Sequence, residues 1–392
     1  MAKDDPPLDL GAEFVQLLTP EGERVHHSGY EVDLTDDEYR GLYHDLVVIR
    51  RLDAEGIALQ RQGELALWVP LLGQEAAQVG SGHALRPQDM AFPSYREHGV
   101  LYCRGIDPIM PFGLFRGVNH GAWDAASTRF GLYTIVVGAQ ALHATGYAMG
   151  VALDGRVGGT ASGASGAGAS AGRGRQDEQG EHADEAVIAY FGDGAISQGD
   201  VNEAFVWAGT FHPPIVFFCQ NNQYAISERT ERQSRVPLYQ RAAGFGFPGI
   251  RVDGNDVLAC YAVTRAALDQ ARRGQGPTLI EAFTYRMGAH TSSDDPTRYR
   301  DASEVEAWQA KDPILRMRRY LSGQGMADED FFAQVDEQAN AEALHLREQV
   351  LAMPDPEPLS LFDHAYVGGS PLIDEEREQF VTYLASFEGG AR

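Results

Sequence analysis

The sequence predicts an α/β protein, a doubly wound and mostly parallel sheet with a helical C-terminal region. Three observations predict it. AVIAYF (186–191) and PPIVFFC (213–219) are fully apolar runs, as strands buried on both faces require, and a helical stretch joins them into a parallel βαβ unit. IRVDG (250–254) and PTLIEAFTYR (277–286) repeat the pattern as strands around a helix over 256–273. Residues 312–351 are then largely helical, with an irregular tail.

In chain order, residues 1–33 read as an arm of little periodicity, and its start, MAKDDPPLDLGAEF, is acidic and lacks an apolar signal core. Thr35 and Glu38 are spaced as a capping box, and Leu42, Leu46, Ile49, Leu52 and Ile57 keep roughly helical spacing after it. A second helix is predicted over Gln74 to Ala84, and PSYREHG (93–99) reads as a loop. YTIVV (133–137) is β-branched and predicts a buried strand, and AQALHATGYAMGVAL (139–153) predicts a helix with small residues on one side. From 158 to 172, 14 of 15 residues are Gly, Ala or Ser, too little apolar surface to offset ordering entropy, so residues 155–183 read as a flexible surface insertion. No Gly-Lys-Ser/Thr follows these glycines, which argues against a phosphate-binding loop. MGAHTSSDDPTRYRD (287–301) is loop-like, and Ser303 with Glu306 is expected to cap the next helix. The domain reading is an arm (1–33), an α/β domain (34–325) and a helical extension (326–392).

Of the 392 residues, 43% are hydrophobic and 22% charged, which excludes disordered and collagen-like chains. With 32 basic and 56 acidic residues, the net charge of −24 speaks against nucleic acid or an anionic membrane as partner. Cys103, Cys219 and Cys260 lie far apart without CxxC spacing, so reduced thiols and a cytoplasmic location are expected. Residues 130–153 carry no formal charge, but Gln140, His143 and four glycines favour a buried helix and its approach loop over a bilayer span.

In an open parallel sheet, ligands sit beyond the carboxyl ends of the strands. Gly192-Asp193-Gly194 leaves one such end and Asn221-Asn222 the neighbouring one, so folding brings Asp193 and Asn222 together. A carboxylate and an amide oxygen are hard ligands, suited to an octahedral magnesium ion that also holds phosphate oxygens. The glycines allow a diphosphate to approach the backbone, and a helix starting near Ser197 adds its N-terminal dipole.

GDG followed by NN at this spacing resembles the thiamine diphosphate fingerprint. The wider segment GDGAISQGDVNEAFVWAGTFHPPIVFFCQNNQYAIS resembles the alpha chain of the decarboxylating component of 2-oxoacid dehydrogenase complexes. GQEAAQVG (73–80), YREHG (95–99), VVGAQALHATG (136–146), IRVDGNDV (250–257) and TYRMGAHTSSDDPTRYR (284–300) extend the likeness over about residues 35 to 325. The resemblance implies a sheet of the thiamine diphosphate-binding type, with Asp193, the Asn222 side chain and the Tyr224 carbonyl holding Mg2+. It also implies that Tyr95 and Arg96 contact the diphosphate, that Gly194 and Ala195 offer backbone donors, and that Gly192, Gln220 and Ala225 belong to the cofactor site. Val137 matches the bulky residue that props the cofactor in its bent shape, and His290 matches the active-site histidine. Gln220 stands where some branched-chain enzymes carry arginine, the insertion replaces a short family loop at the far end of the sheet, and Arg116 to Arg129 match poorly.

The activity implied is oxidative decarboxylation of a branched-chain 2-oxoacid, with acyl transfer to the lipoyl group of the acyltransferase. HTSSDDP, NQYAIS and VDGNDV lean towards that substrate; the alternatives are the pyruvate enzyme and a non-catalytic paralogue acting as an assembly subunit. No second doubly wound pattern follows residue 325. The resemblance therefore implies a separate beta chain supplying the activating glutamate, in an assembly of two alpha and two beta chains. The 287–301 loop resembles a segment phosphorylated in mitochondrial relatives, with Thr291, Ser292 and Ser293 as candidates by position. Asp294, Asp295, Arg298, Tyr299 and Arg300 are candidates to pin that loop, which is expected to be mobile without cofactor.

Overall fold

The apolar runs become strands that bury both faces. The computed structural model describes residues 14–119, 123–158, 184–363 and 365–388. Its strands in chain order are β1 (Phe14–Val15), β2 (Met90–Phe92), β3 (Val187–Gly192), β4 (Ile215–Asn221), β5 (Tyr224–Ala225), β6 (Glu228–Arg229), β7 (Gly249–Asp253) and β8 (Thr278–Phe283). Six of them form a sheet of order β1-β7-β8-β4-β3-β2, parallel throughout, and β5 pairs with β6 as a small antiparallel hairpin.

Alternation along the strands decides the layers. Ile188, Tyr190, Val216, Phe218 and Ile280 join a core with the helices Asp36–Arg61, Glu75–His83 and Val257–Arg272. Val187, Ala189, Phe191, Ile215, Phe217 and Leu279 join another with the helices Ala139–Leu153 and Gly199–Phe211. Helices on both faces make the sheet doubly wound, as expected. The Thr35–Glu38 capping box is present at the first helix, whose Leu42, Leu46, Ile49 and Leu52 are buried. The Ala139–Leu153 helix presents Ala141, Ala144 and Ala148 to the core.

Several local expectations are corrected. YTIVV is not a strand. Phe130 makes one parallel bridge to Ala91, and the chain then leaves the sheet, keeping a Thr134 N–H bond to the Ser94 carbonyl (2.7 Å). Edge strand β2 ends at Phe92, and Pro93 has no N–H to continue a ladder. Tyr133 is instead fixed through its side chain, its hydroxyl 2.7 Å from His98 Nδ1, while Ile135 (67%) and Val136 (71%) are left exposed. Ser303 does not cap a helix: the helix Ala302–Gln309 starts one residue earlier, with Asp301 at its N-cap position and no side-chain cap. β8 stops at Phe283, and beyond it Thr284 and Arg286 bond the Asn221 and Asn222 carbonyls at the end of β4. Near the N-terminus, Phe14–Val15 is an edge strand beside β7, tied down by Asp256, which accepts from Leu17 and Leu18 N–H (2.6 Å each).

One compact unit runs to Val350 and a second starts at Leu351. Within the first, the helix beginning at Glu329 buries Phe332, Val335, Ala339 and Leu346 in the core shared with Asp36–Arg61. The second carries the helix Pro371–Glu388, which lies within the helical extension read over 326–392 but where an irregular tail is expected, with Arg377 paired to Asp363 (2.8 Å). Its Ile373, Phe380 and Leu384, seven and four residues apart, are half-buried on one face, and Phe380 packs edge-on against Phe362, while Leu372, Val381, Tyr383 and Phe387 are exposed.

Of the predicted insertion 155–183, residues 159–183 lie outside the described residues. Glu185, just after it, pairs with Arg129 and Arg156 and lies two residues before the start of β3, so this junction is at the opposite end of that strand from Gly192. Among the described residues no helix is long and apolar enough to cross a membrane.

Candidate active site

Parallel pairing aligns the ends of β3 and β4, with Gly192 opposite Gln220. Beyond these ends the GDG segment turns into a short 3-10 stretch (Asp193–Ser197), and the chain leaving β4 folds back as the β5/β6 hairpin. A cavity of about 250 Å³ opens there. Every site residue named from the sequence lines it: Tyr95, Arg96, Val137, Gly192, Asp193, Gly194, Ala195, Gln220, Asn222, Tyr224, Ala225 and His290. Gln74, Glu97, Gln140 and Arg286 line it too and were not singled out. Arg286 shares the TYRMGAH segment with His290 but lies in a loop, where spacing does not say which neighbour it will meet; the others lie on elements whose approach to the cavity is a tertiary matter.

Asp193 is buried, its Oδ2 accepting from Thr230 Oγ1 (2.9 Å), and burial pushes its carboxyl up to about 6. Asn222 donates from Nδ2 to Gln74 Oε1 (3.1 Å) and accepts at Oδ1 from Tyr224 N–H (3.3 Å). The Tyr224 carbonyl accepts from Arg286 Nη1 (2.9 Å). Gln220 is spent within the wall, donating to Glu97 (2.7 Å) and accepting from Gln78 (3.1 Å).

Arg96 and Arg286 are both buried and converge on His290. Arg96 Nη2 lies 3.2 Å and Arg286 Nη1 3.4 Å from its Nδ1. Their other partners are the carbonyls of Pro70, His290, Tyr224 and Ile226 and the Tyr299 hydroxyl; among the described residues neither forms an ion pair. Burial, then Arg96 and Arg286, drives His290 down to about 3, so the ring is neutral. With Nδ1 accepting from guanidinium, the ring proton is assigned to Nε2.

Two buried guanidiniums without a carboxylate are costly unless an anion joins them, and their fork geometry suits phosphate oxygens. Buried Gln74 Nε2, Gln140 Oε1 and Arg286 Nε, all on residues lining the cavity, lack hydrogen-bond partners. A Cβ at Gly192 would meet nothing within 4 Å, whereas one at Gly194 would fall 2.7 Å from Ala225 Cβ, so the GDG turn is open on one side and tightly seated on the other. The wall thus offers hard oxygen ligands for a cation beside unpaired positive charge for an anion. This donor set fits a metal-bound diphosphate.

Asp193 sets a pH dependence. Its folded-state pKa lies above its unfolded value, so the cost of its buried charge is present in full above about pH 6 and is relieved as pH falls towards the ordinary carboxylate range. A divalent cation needs the charged form. Affinity for a divalent cation at this site is therefore expected to fall on acidification through pH 6, as calorimetric titration at stepped pH would show.

The 287–301 loop is held by named contacts. Asp294 accepts from His290 N–H and the Tyr299 hydroxyl, and Arg300 donates to the carbonyls of Arg286, Met287 and Gly288. Asp295 accepts from Thr297 N–H (3.2 Å), while Arg298 is exposed. Ser292 is zipped to Trp68, its N–H to the carbonyl (2.8 Å) and its Oγ from the amide (2.9 Å); Thr291 is half-buried and Ser293 exposed.

The family model for the dehydrogenase E1 component matches residues 44–359, and the chain belongs to that family. A 3-methyl-2-oxobutanoate dehydrogenase subunit alpha of Mycobacterium tuberculosis is 43% identical over 379 residues, covering 96% of each chain. Pyruvate dehydrogenase E1 component alpha subunits are similar as well. That of Bacillus cereus is 36% identical, covering 88% of this chain and 85% of its own. That of Bacillus subtilis is 35% identical, covering 88% and 84%.

Proposed function

We propose that this chain is the alpha subunit of a branched-chain 2-oxoacid dehydrogenase decarboxylating component, working in the cytoplasm with thiamine diphosphate and Mg2+. The observation that carries the reading is the pair of buried, unpaired guanidiniums of Arg96 and Arg286 beside Asp193 and Asn222, at two neighbouring strand ends. The 43% identity to the 3-methyl-2-oxobutanoate relative supports the substrate.

Asp193, Asn222 Oδ1 and the Tyr224 carbonyl would hold the magnesium. Arg96, Arg286 and Tyr95 would take the diphosphate, with N–H donors from Gly194 and Ala195. Val137 and Ile226 would meet the cofactor's apolar body, while Gly192, Gln220 and Ala225 shape the wall. Thiamine diphosphate, when bound, supplies the nucleophile and the electron sink for decarboxylation. This chain orients it, and His290, held neutral, offers its Nε2 proton to charge developing on the substrate.

The activating glutamate is assigned to a beta chain, in an assembly of two alpha and two beta chains that passes its acyl group to a lipoyl-bearing acyltransferase. Exposed Ile135, Val136 and Ile226, next to cavity-lining Val137, favour a protein cover over this side. The chain alone is expected to show no 2-oxoacid turnover, and full turnover without a second polypeptide would refute the assignment. For the assembled pair, kcat/KM is expected to favour 3-methyl-2-oxobutanoate over pyruvate by at least about tenfold. A reversed ratio makes it a pyruvate enzyme; no turnover of any 2-oxoacid makes it a non-catalytic paralogue.

A further inference from the structure

Outside the cavity, Asp45, His83 and Cys103 meet from three elements. Asp45 lies in the helix Asp36–Arg61, His83 ends the helix Glu75–His83, and Cys103 ends the helix His98–Cys103. Gly82 permits the meeting: a Cβ there would lie 2.8 Å from Cys103 Cβ, so a larger residue would drive the two helix ends apart. One carboxylate oxygen of Asp45, a ring nitrogen of His83 and the Cys103 sulfur all lie within 4.8 Å of one another. His83 Nε2 is 2.7 Å from Asp45 Oδ2, and the other carboxylate oxygen faces His44 Nδ1 at 3.0 Å.

We infer that Cys103 Sγ, His83 Nε2 and Asp45 Oδ2 form a binding site for a divalent transition-metal ion of the zinc class, with water in the fourth position. The ligand set decides the class. Thiolate, imidazole and carboxylate together suit zinc or cobalt, whereas magnesium demands an octahedral shell of oxygens. Around a tetrahedral zinc ion such ligand atoms sit about 3.3–3.5 Å apart, which the observed cluster reaches by small side-chain adjustments. His44 on the second Asp45 oxygen is the outer hydrogen bond that orients a ligating carboxylate. The His83 side chain is 34% exposed, leaving a way in from solvent, whereas Cys219 and Cys260 are sealed in the core.

The binding step balances simply. The Cys103 thiol loses its proton to solvent, His83 ligates as neutral imidazole, and two anionic ligands cancel the charge of the ion. The consequence is mechanical. Gln74, at the N-cap of the His83 helix, and Tyr95, Arg96 and Glu97, just before the Cys103 helix, line the cavity. An ion at the far ends would clamp together the two helices whose starts carry those residues.

The site is independent of the cofactor reading, and its test needs neither cofactor nor beta chain. The full chain, in excess Mg2+ to fill oxygen-only sites, is titrated with Co2+. A thiolate-to-cobalt charge-transfer band in the near ultraviolet is expected to saturate at one ion per chain and to disappear on adding Zn2+. Cys103→Ser is expected to abolish the band, and both Cys103→Ser and His83→Gln to weaken Zn2+ binding at least about tenfold. Zn2+ should raise the Tm of the parent chain and of neither variant. A missing band, a band that survives Cys103→Ser, or equal Zn2+ affinity in parent and variants would overturn the proposal. His83→Gln alters an exposed ring and keeps the comparison open should the cysteine variant fold poorly.

Discussion

Asp193→Asn is expected to weaken magnesium-dependent binding of thiamine diphosphate at least about a hundredfold and to remove activity of the assembled enzyme in proportion. Losing even an outer partner of a metal ligand typically costs 10–100-fold, and Asp193 is assigned a direct contact. The amide keeps the carboxylate's shape and can still accept from Thr230. It also removes a charge that burial makes costly, so the ligand-free chain should be no less stable than the parent. Calorimetry for the cofactor and thermal unfolding of the free chain read the two effects separately. Unchanged cofactor affinity would remove Asp193 from the metal site. A fall in affinity together with a fall in stability would point to a structural role instead.

His290→Ala is the second large effect. In the assembled enzyme kcat is expected to fall by about 10²–10⁴-fold, the range for a group that moves a proton in the reaction. Cofactor affinity should change far less, because the charge for the diphosphate is assigned, in the proposed site, to Arg96 and Arg286. The reverse pattern, lost affinity with kcat intact at saturation, would make His290 a phosphate ligand only. Steady-state kinetics with cofactor titration at each substrate level separates these outcomes.

The buried strands were legible because burial on both faces leaves a continuous apolar run, as in AVIAYF and PPIVFFC. Their pairing, and so the meeting of Asp193 with Asn222, followed from the parallel βαβ connection. YTIVV failed for the complementary reason. β-branched residues favour extended backbone, but a strand also needs a free ladder, and Pro93 ends the one beside it. The helix Pro371–Glu388 falls within the helical extension read over 326–392, and Ile373, Phe380 and Leu384 keep helical spacing in it, although the tail itself reads as irregular.

Among the site residues, those on the strand tips and their turns follow from local order: Gly192, Asp193, Gly194 and Asn222 occupy chain positions that any parallel sheet would place together. The burial of Arg286 against Arg96 is different in kind. A lone arginine in a loop carries no mark of its future neighbours, and only the packed chain brings two guanidiniums onto one imidazole without a carboxylate between them. Short-range geometry is written in residue order, whereas electrostatic frustration arises between segments 190 residues apart (Arg96 and Arg286) and exists only once folding has closed that distance.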